Sequence, residues 1–133
     1  MNSEQLSVKT GSRTHFLDIT GQVAAVIGRS GVKSGLCCVY VPHTTAGVTI
    51  NENADPDVTR DIDSILEKMV PWDDGYHHSE GNSAAHVKAG LMGFSVTVPF
   101  ERGKMLLGTW QAIYFCDFDG PRNRKFLVKI IEG

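Results

Sequence analysis

The sequence predicts an α+β fold in which a largely antiparallel, β-sandwich-like sheet core carries two or three helices. Three observations support that class. Runs rich in Val, Ile, Thr and aromatic residues occupy both ends of the chain, and two helical patterns lie between them. From Phe94 onward the apolar residues alternate with a period of two. Several strand-like runs are apolar on both faces, more than two short helices can cover. The remaining face needs a second sheet or burial in a homo-oligomer.

Taken in order, Gln5 to Thr20 mixes apolar and polar residues with β-branched character and predicts one or two short strands. Thr20 is placed to cap a short helix over Val23, Ala24 and Ile27, which Gly28 and Gly31 would end. GLCCVYVP is continuously apolar and predicts a strand buried on both faces, stopped by Pro42. HTTAGVTIN follows as the next strand after a bend. The clearest helix runs from Asp55 to Val70. Asp55 suits the N-cap, and Pro56 suits the first helical position, where its missing N–H costs nothing. Val58, Ile62, Ile65, Leu66 and Met69 then form one apolar stripe, and Pro71 ends it. After the loop WDDGYHHSEGN, a short helix spans Ser83 to Met92 and exits at Gly93. FSVTVPF, KMLLGTWQAIYFCDFDG and RKFLVKIIE predict three strands joined by the turns ERG and DGPRN.

At 133 residues the chain reads as one domain, 1–133, long enough to bury roughly two thirds of its unfolded surface without disulfide staples. A net charge of −2 argues against a general nucleic-acid binder, which would carry a basic excess. The polar opening MNSEQLSVKT has no signal-peptide core, and no apolar run approaches the roughly 20 residues that span a bilayer. Cys37, Cys38 and Cys116 sit within apolar, strand-like runs and read as buried free thiols in a reducing compartment. A cytoplasmic protein that binds neither membrane nor nucleic acid is the expectation.

Of the five histidines, His77, His78 and His86 fall within GYHHSEGNSAAH, while His43 ends the run VYVPH on the same parity as Val39 and Val41. A loop residue and a helix residue eight positions apart, His78 and His86, can converge, although this is not the spacing of a helical zinc motif. Neutral imidazoles bind zinc or a similar borderline divalent metal, and three protein ligands leave one position for water or substrate. Such a centre polarises a phosphate or carbonyl, and Glu80 or Asp117 could orient an imidazole or act as general base. His77 reads as a plain exposed residue, because adjacent loop histidines rarely both point inward.

Two further constellations carry chemistry. In GTWQAIYFCDFDGPRNRK, Gln111 and Asp117 share a strand face with Ile113 and Phe115, and a buried Gln or Asp needs a partner. Arg122, Arg124 and Lys125 then cluster at a Gly-Pro turn, and guanidinium forks suit phosphate oxygens. In TINENADPD, Asn51, Glu52, Asn53 and Asp55 form a polar strand-to-helix junction. It can serve as caps and turns, or as an anion site at the helix N-terminus.

HTTAGVTINENADPD, YHHSEGNSAAH, GLMGFSVTVPFERGKMLLGTWQAIYF and DGPRNRK, in this order, resemble the YjbQ-like family, often called the secondary thiamine-phosphate synthase family. The likeness runs from about Leu6 to the end of the chain, with LLGTWQAI the most specific stretch. It implies an α+β sandwich assembling as a homotrimer with sites near the subunit boundaries. It implies His43, His78 and His86 as ligands of a divalent metal ion, zinc favoured, with His77 at a variable position. Asn51, Asp55, Arg122 and Arg124 match positions implied to bind substrate, and Gln111 and Asp117 those implied in catalysis. Asp117 departs from the pattern, since many relatives carry Glu there and Asp reaches about one methylene less far.

The implied reaction joins a pyrimidine diphosphate to a thiazole phosphate, giving thiamine phosphate and pyrophosphate. No paired Asp-rich loops for a magnesium diphosphate are present, which points to synthase turnover as a side activity. The functional expectation is thus a metal-dependent enzyme acting on a small phosphorylated or anionic metabolite. The alternative is a non-catalytic trimer that binds metal or ligand, and a third possibility is that the histidines only hold the trimer together.

Overall fold

A computed structural model describes residues 2–133 and contains eight strands and three α-helices within them. In chain order these are β1 (Ser3–Lys9), β2 (His15–Asp18), α1 (Thr20–Ser30), β3 (Gly35–Tyr40), β4 (Ala46–Glu52) and α2 (Pro56–Met69). Then come α3 (Ser83–Met92), β5 (Ser95–Glu101), β6 (Lys104–Met105), β7 (Gln111–Asp117) and β8 (Asn123–Glu132). Every pairing is antiparallel. The strands form a five-stranded sheet in the order β1-β8-β3-β5-β6 and a three-stranded sheet in the order β2-β7-β4. The predicted α+β sandwich is what the chain adopts.

Two apolar clusters explain the layering. Val39, Val98, Phe126 and Val128 of the larger sheet meet Val48, Ile113 and Phe115 of the smaller one, with Val23, Val26 and Ile27 of α1 joining the same core. On the other side of the smaller sheet, Ala112, Tyr114 and Cys116 pack with Leu66 of α2 and Ala85 and Ala89 of α3. β7 is therefore the strand covered on both faces, and all its residues but Gln111 are buried. At ~25 cal/mol per Å² of apolar surface removed from water, each fully buried Phe or Ile here stabilises by about 2 kcal/mol.

Several local expectations hold. Asp55 caps α2 by accepting the Asp57 amide at 2.9 Å, Pro56 is its first residue, and α3 spans the predicted range. Others change once partners are known. GLCCVYVP does not lie buried on both faces: Cys37 and Val39 face the core, whereas Leu36 is 44% and Tyr40 48% exposed. Among the described residues no layer covers the outer face of the five-stranded sheet, and the strand covered on both faces is β7 instead. Thr20 is the first residue of α1 rather than its cap, and its hydroxyl accepts the Ile113 amide at 2.9 Å. α1 passes through Gly28 and ends at Gly31, whose φ of 71° is the left-handed turn that glycine adopts freely. The run from Lys104 to Asp117 is two strands, β6 and β7, divided by a turn in which Gln111 Oε1 accepts the Gly108 amide. The turn DGPRN carries the chain from one sheet to the other rather than around a hairpin.

Among the described residues no helix is long and apolar enough to cross a membrane. All three cysteines are free, and burial raises the thiol of Cys37 to about 11.

Candidate functional site

The carboxyl end of β3, the start of β8 and the loop entering α3 meet around one open cavity of about 660 Å³. Each element arrives there for a local reason. Pro42 ends β3 and releases His43, Thr44 and Thr45 into the cavity wall before β4 begins. α3 starts at Ser83 and brings His86 to the same wall, with His78 and Glu80 on the loop before it. Arg122 and Arg124 enter as the chain crosses from β7 to β8.

Arg124 is anchored from behind. Its Nε donates to Asp117 Oδ2 at 3.1 Å and its Nη2 to Asp117 Oδ1 at 2.8 Å, while Nη2 also donates to Thr45 Oγ1 at 2.7 Å. Asp117 is fully buried and takes two more bonds, from the Thr10 hydroxyl at 2.7 Å and the Asp119 amide at 2.9 Å. Burial alone would raise its carboxyl. The Arg124 guanidinium, the Asp119 amide and the Thr10 hydroxyl outweigh that and hold it below the ordinary carboxylate value. Arg122 is held from the front: its Nε donates to the Asp119 carbonyl at 2.9 Å and its Nη2 to Asp119 Oδ2 at 3.1 Å. Asn82 Nδ2 donates to that same Oδ2 at 2.8 Å.

The imidazoles divide into a pair and a single ring. The rings of His78 and His86 lie 5.4 Å apart between centroids, at 89° to each other. Two imidazoles on one tetrahedral zinc, with Zn–N near 2.0–2.1 Å, place their centroids about 5 Å apart. This pair therefore fits two positions of such an ion. His43 does not join them. Its Nε2 accepts the Lys125 amide at 2.9 Å, so the single lone pair of the neutral ring is committed and Nδ1 carries the proton. Burial, then the nearby Arg124 charge, lower its pKa below the ordinary histidine value and keep the ring neutral. Among the described residues, no three His, Cys, Asp or Glu side chains gather as a metal site. The three-imidazole centre expected from sequence becomes two imidazoles and a neighbouring hydrogen-bond donor.

Other predicted positions separate from the cavity. Gln111 sits six residues from Asp117 along β7, about 20 Å away, and is exposed beside its Gly108 turn. Asn51 pairs with Ala112 at that same far end, and its side chain accepts the Glu52 amide. Asp55 is engaged in capping α2. None of the three lines the cavity in its own chain. Asp117 lies behind the wall, shielded by Arg124, so it positions that guanidinium and cannot itself touch a ligand. His77 is exposed and outside the cavity, as expected.

Thr10, Thr45, Asn82 and Asp119 support the site, and the sequence marked none of them individually as functional. Thr10 is more than a hundred positions from Asp117, and the two meet only because β1 pairs with β8 and β2 pairs with β7 on either side of Thr10. Asp119 was visible only as part of a turn.

Residues 4–133 match the family described as UPF0047 protein YjbQ-like. The chain belongs to that family. It is 52% identical over 124 residues to a UPF0047 protein of Methanocaldococcus jannaschii, covering 93% of this chain and 90% of that one. It is 48% identical to YugU of Bacillus subtilis, covering 95% and 96% of the two chains. The fold superposes with a TM-score of 0.95 on a YjbQ/UPF0047 crystal structure from Clostridium acetobutylicum, 56% identical over 96% of this chain and 99% of the other. A protein from Aeropyrum pernix, 36% identical over the full length of both chains, gives 0.94. The YjbQ-like resemblance noted from the sequence motifs is thereby established for fold and family.

Proposed function

We propose that this YjbQ-like chain is an enzyme acting on a small phosphorylated metabolite in the cavity between His43, His86 and Arg124, with a divalent metal ion as cofactor. The observation that carries the reading is a charge balance. Arg122 and Arg124 are matched along the wall by Asp119 and Glu80, and Asp117 behind it adds one more negative charge. The arginines supply guanidinium forks for phosphate oxygens but no net positive field. A bound phosphate needs further positive charge, and neutral His43 does not provide it. The His78–His86 pair can, by holding a cation.

His78 and His86 are thus the residues that would hold the metal ion, with zinc favoured by two imidazole donors. Bound there, the ion would supply a Lewis acid for a phosphate oxygen. The chain's own residues do the rest. Arg124, fixed by Asp117 and Thr45, offers a guanidinium whose orientation is set before substrate arrives. Arg122, held by Asp119, offers a second, more exposed one. His43 Nδ1–H is a neutral donor that adds direction without charge. Thiamine-phosphate synthesis, as a main or side activity, is the reaction to assay first, because pyrophosphate departure is the step such an arrangement assists.

The assembly proposed is a homotrimer. It is supported by an exposed apolar cluster on the otherwise polar outer face of the five-stranded sheet, where Leu36, Tyr40 and Ile131 are all about half exposed. Tyr40 also lines the cavity, so a neighbouring copy on this face would border the site.

The test is pyrophosphate release from a pyrimidine diphosphate and a thiazole phosphate by metal-loaded and metal-depleted protein. Turnover only when loaded supports the proposal, and equal turnover in both sinks the metal's role. Saturable binding without product selects the second reading, a non-catalytic ligand-binding protein.

A further inference from the structure

A carboxylate repels phosphate, yet Asp119 stands against Arg122 in the same cavity wall. Its hydrogen bonds show what it does there. Asp119 Oδ2 accepts two side-chain donors at once, Arg122 Nη2 at 3.1 Å and Asn82 Nδ2 at 2.8 Å, and its carbonyl accepts Arg122 Nε at 2.9 Å. Two of the five guanidinium N–H groups are engaged along one edge, and the Nη1 edge is left for a ligand. The Arg122 side chain is 49% exposed, so without this tie it would range over many rotamers.

Asn82 carries the tie into α3. It is the N-cap residue, it is buried, and its carbonyl accepts the Ala85 amide at 3.0 Å and the His86 amide at 3.4 Å. An Asn at that position ordinarily turns its side-chain oxygen onto an amide of the first turn. Here no such bond forms, and the side-chain amide is directed at Asp119 instead. The helix forgoes a cap for a contact that leads from the arginine turn to the backbone carrying His86.

Resting on the phosphate and metal reading above, we infer that Asp119 is a positioning residue that joins the two halves of the site. One carboxylate oxygen orients Arg122 towards a ligand phosphate and, through Asn82, fixes the start of α3 and with it His86.

Charge and position predict opposite results for Asp119→Ala. Removing a negative charge by itself tightens phosphate binding, whereas losing the hold on Arg122 weakens it. Isothermal titration of the intact protein with inorganic phosphate is expected to give binding weaker by about fivefold, the cost of ordering one long side chain on binding. Asp119→Asn keeps an acceptor oxygen for both donors and is expected to bind at least as tightly as wild type. Asn82→Ser changes no charge and keeps a good helix cap, but its hydroxyl falls short of Asp119. It is expected to lower zinc affinity by about tenfold in competition with a chromogenic chelator, with no loss of thermal stability. Tighter phosphate binding in Asp119→Ala, or equal affinities in the two Asp119 variants, overturns the positioning role. So does unchanged zinc affinity in Asn82→Ser, a measurement that stands even if Asp119→Ala does not fold. If inorganic phosphate does not bind the wild-type protein, the phosphate reading itself falls and takes this role with it.

Discussion

Asp117 and Arg124 form a two-pronged ion pair in which both side chains are almost wholly removed from water, 0% and 4% exposed. The pair ties the end of β7 to the start of β8, and so one sheet to the other, directly behind the cavity. It converts a carboxylate expected to do chemistry into the support of a guanidinium that can.

Removing one partner should therefore cost far more than losing an exposed ion pair. Asp117→Ala is expected to destabilise the protein by about 3–5 kcal/mol, because Arg124 is left buried and uncompensated. Urea titration of the variant checks it. A loss under about 1 kcal/mol would mean that Arg124 finds solvent by itself.

The same pair sets an acid limit. The Asp117 carboxyl is lowered from its ordinary 3.8 in the folded protein, so its stabilisation is complete above that value. It is lost as pH falls further, through the lowered native value. Melting temperatures of wild type and Asp117→Asn measured downward from pH 5 should converge below pH 3.8. A constant gap would contradict the assignment.

His43 works at higher pH. The folded ring is held neutral with its pKa below the ordinary 6.5, so the unfolded chain takes up the proton first. Its share of stability is whole well above 6.5 and declines as pH drops through that value towards the lowered one. His43→Gln is expected to flatten the melting-temperature profile in that window, read by calorimetry between pH 8 and pH 5.

Metal affinity should separate the imidazoles. His78 is exposed, so His78→Ala is expected to leave stability within about 0.5 kcal/mol of wild type while lowering zinc affinity by at least tenfold. His43→Gln should keep most of the affinity. Competition with a chromogenic chelator measures both, and equal losses would restore His43 as a ligand.

Activity should follow the cavity rather than the motif. Arg122→Ala is expected to reduce kcat/KM by about tenfold or more, through loss of a phosphate contact. Gln111→Ala at the far end of β7 should matter only if a neighbouring copy brings that end to the site. Measuring it beside Leu36→Glu, a charge placed on the open sheet face, links the two questions. Sedimentation equilibrium is expected to show trimers for wild type and smaller species for Leu36→Glu.

What could be read in the sequence was whatever one segment decides for itself. Asp55 and Pro56 start α2, Gly93 ends α3, and the period-two stretches are strands, because caps, stops and side-chain alternation depend on near neighbours. The loop histidines and the arginine turn also drew attention as chemistry, and four of those residues do line one cavity. Pairing lay beyond it. Nothing local says that β7 leaves its neighbours in sequence to sit between β2 and β4, or that Thr10 meets Asp117. Those contacts form between segments as much as 107 positions apart, where burial of both faces of β7 outweighs any preference of the strands alone. Tertiary packing therefore decided that Asp117 supports rather than reacts, that Gln111, Asn51 and Asp55 stand apart from the cavity, and that His43 spends its lone pair on the Lys125 amide. A side chain's chemistry is set by its type, but its role is set by what reaches it first.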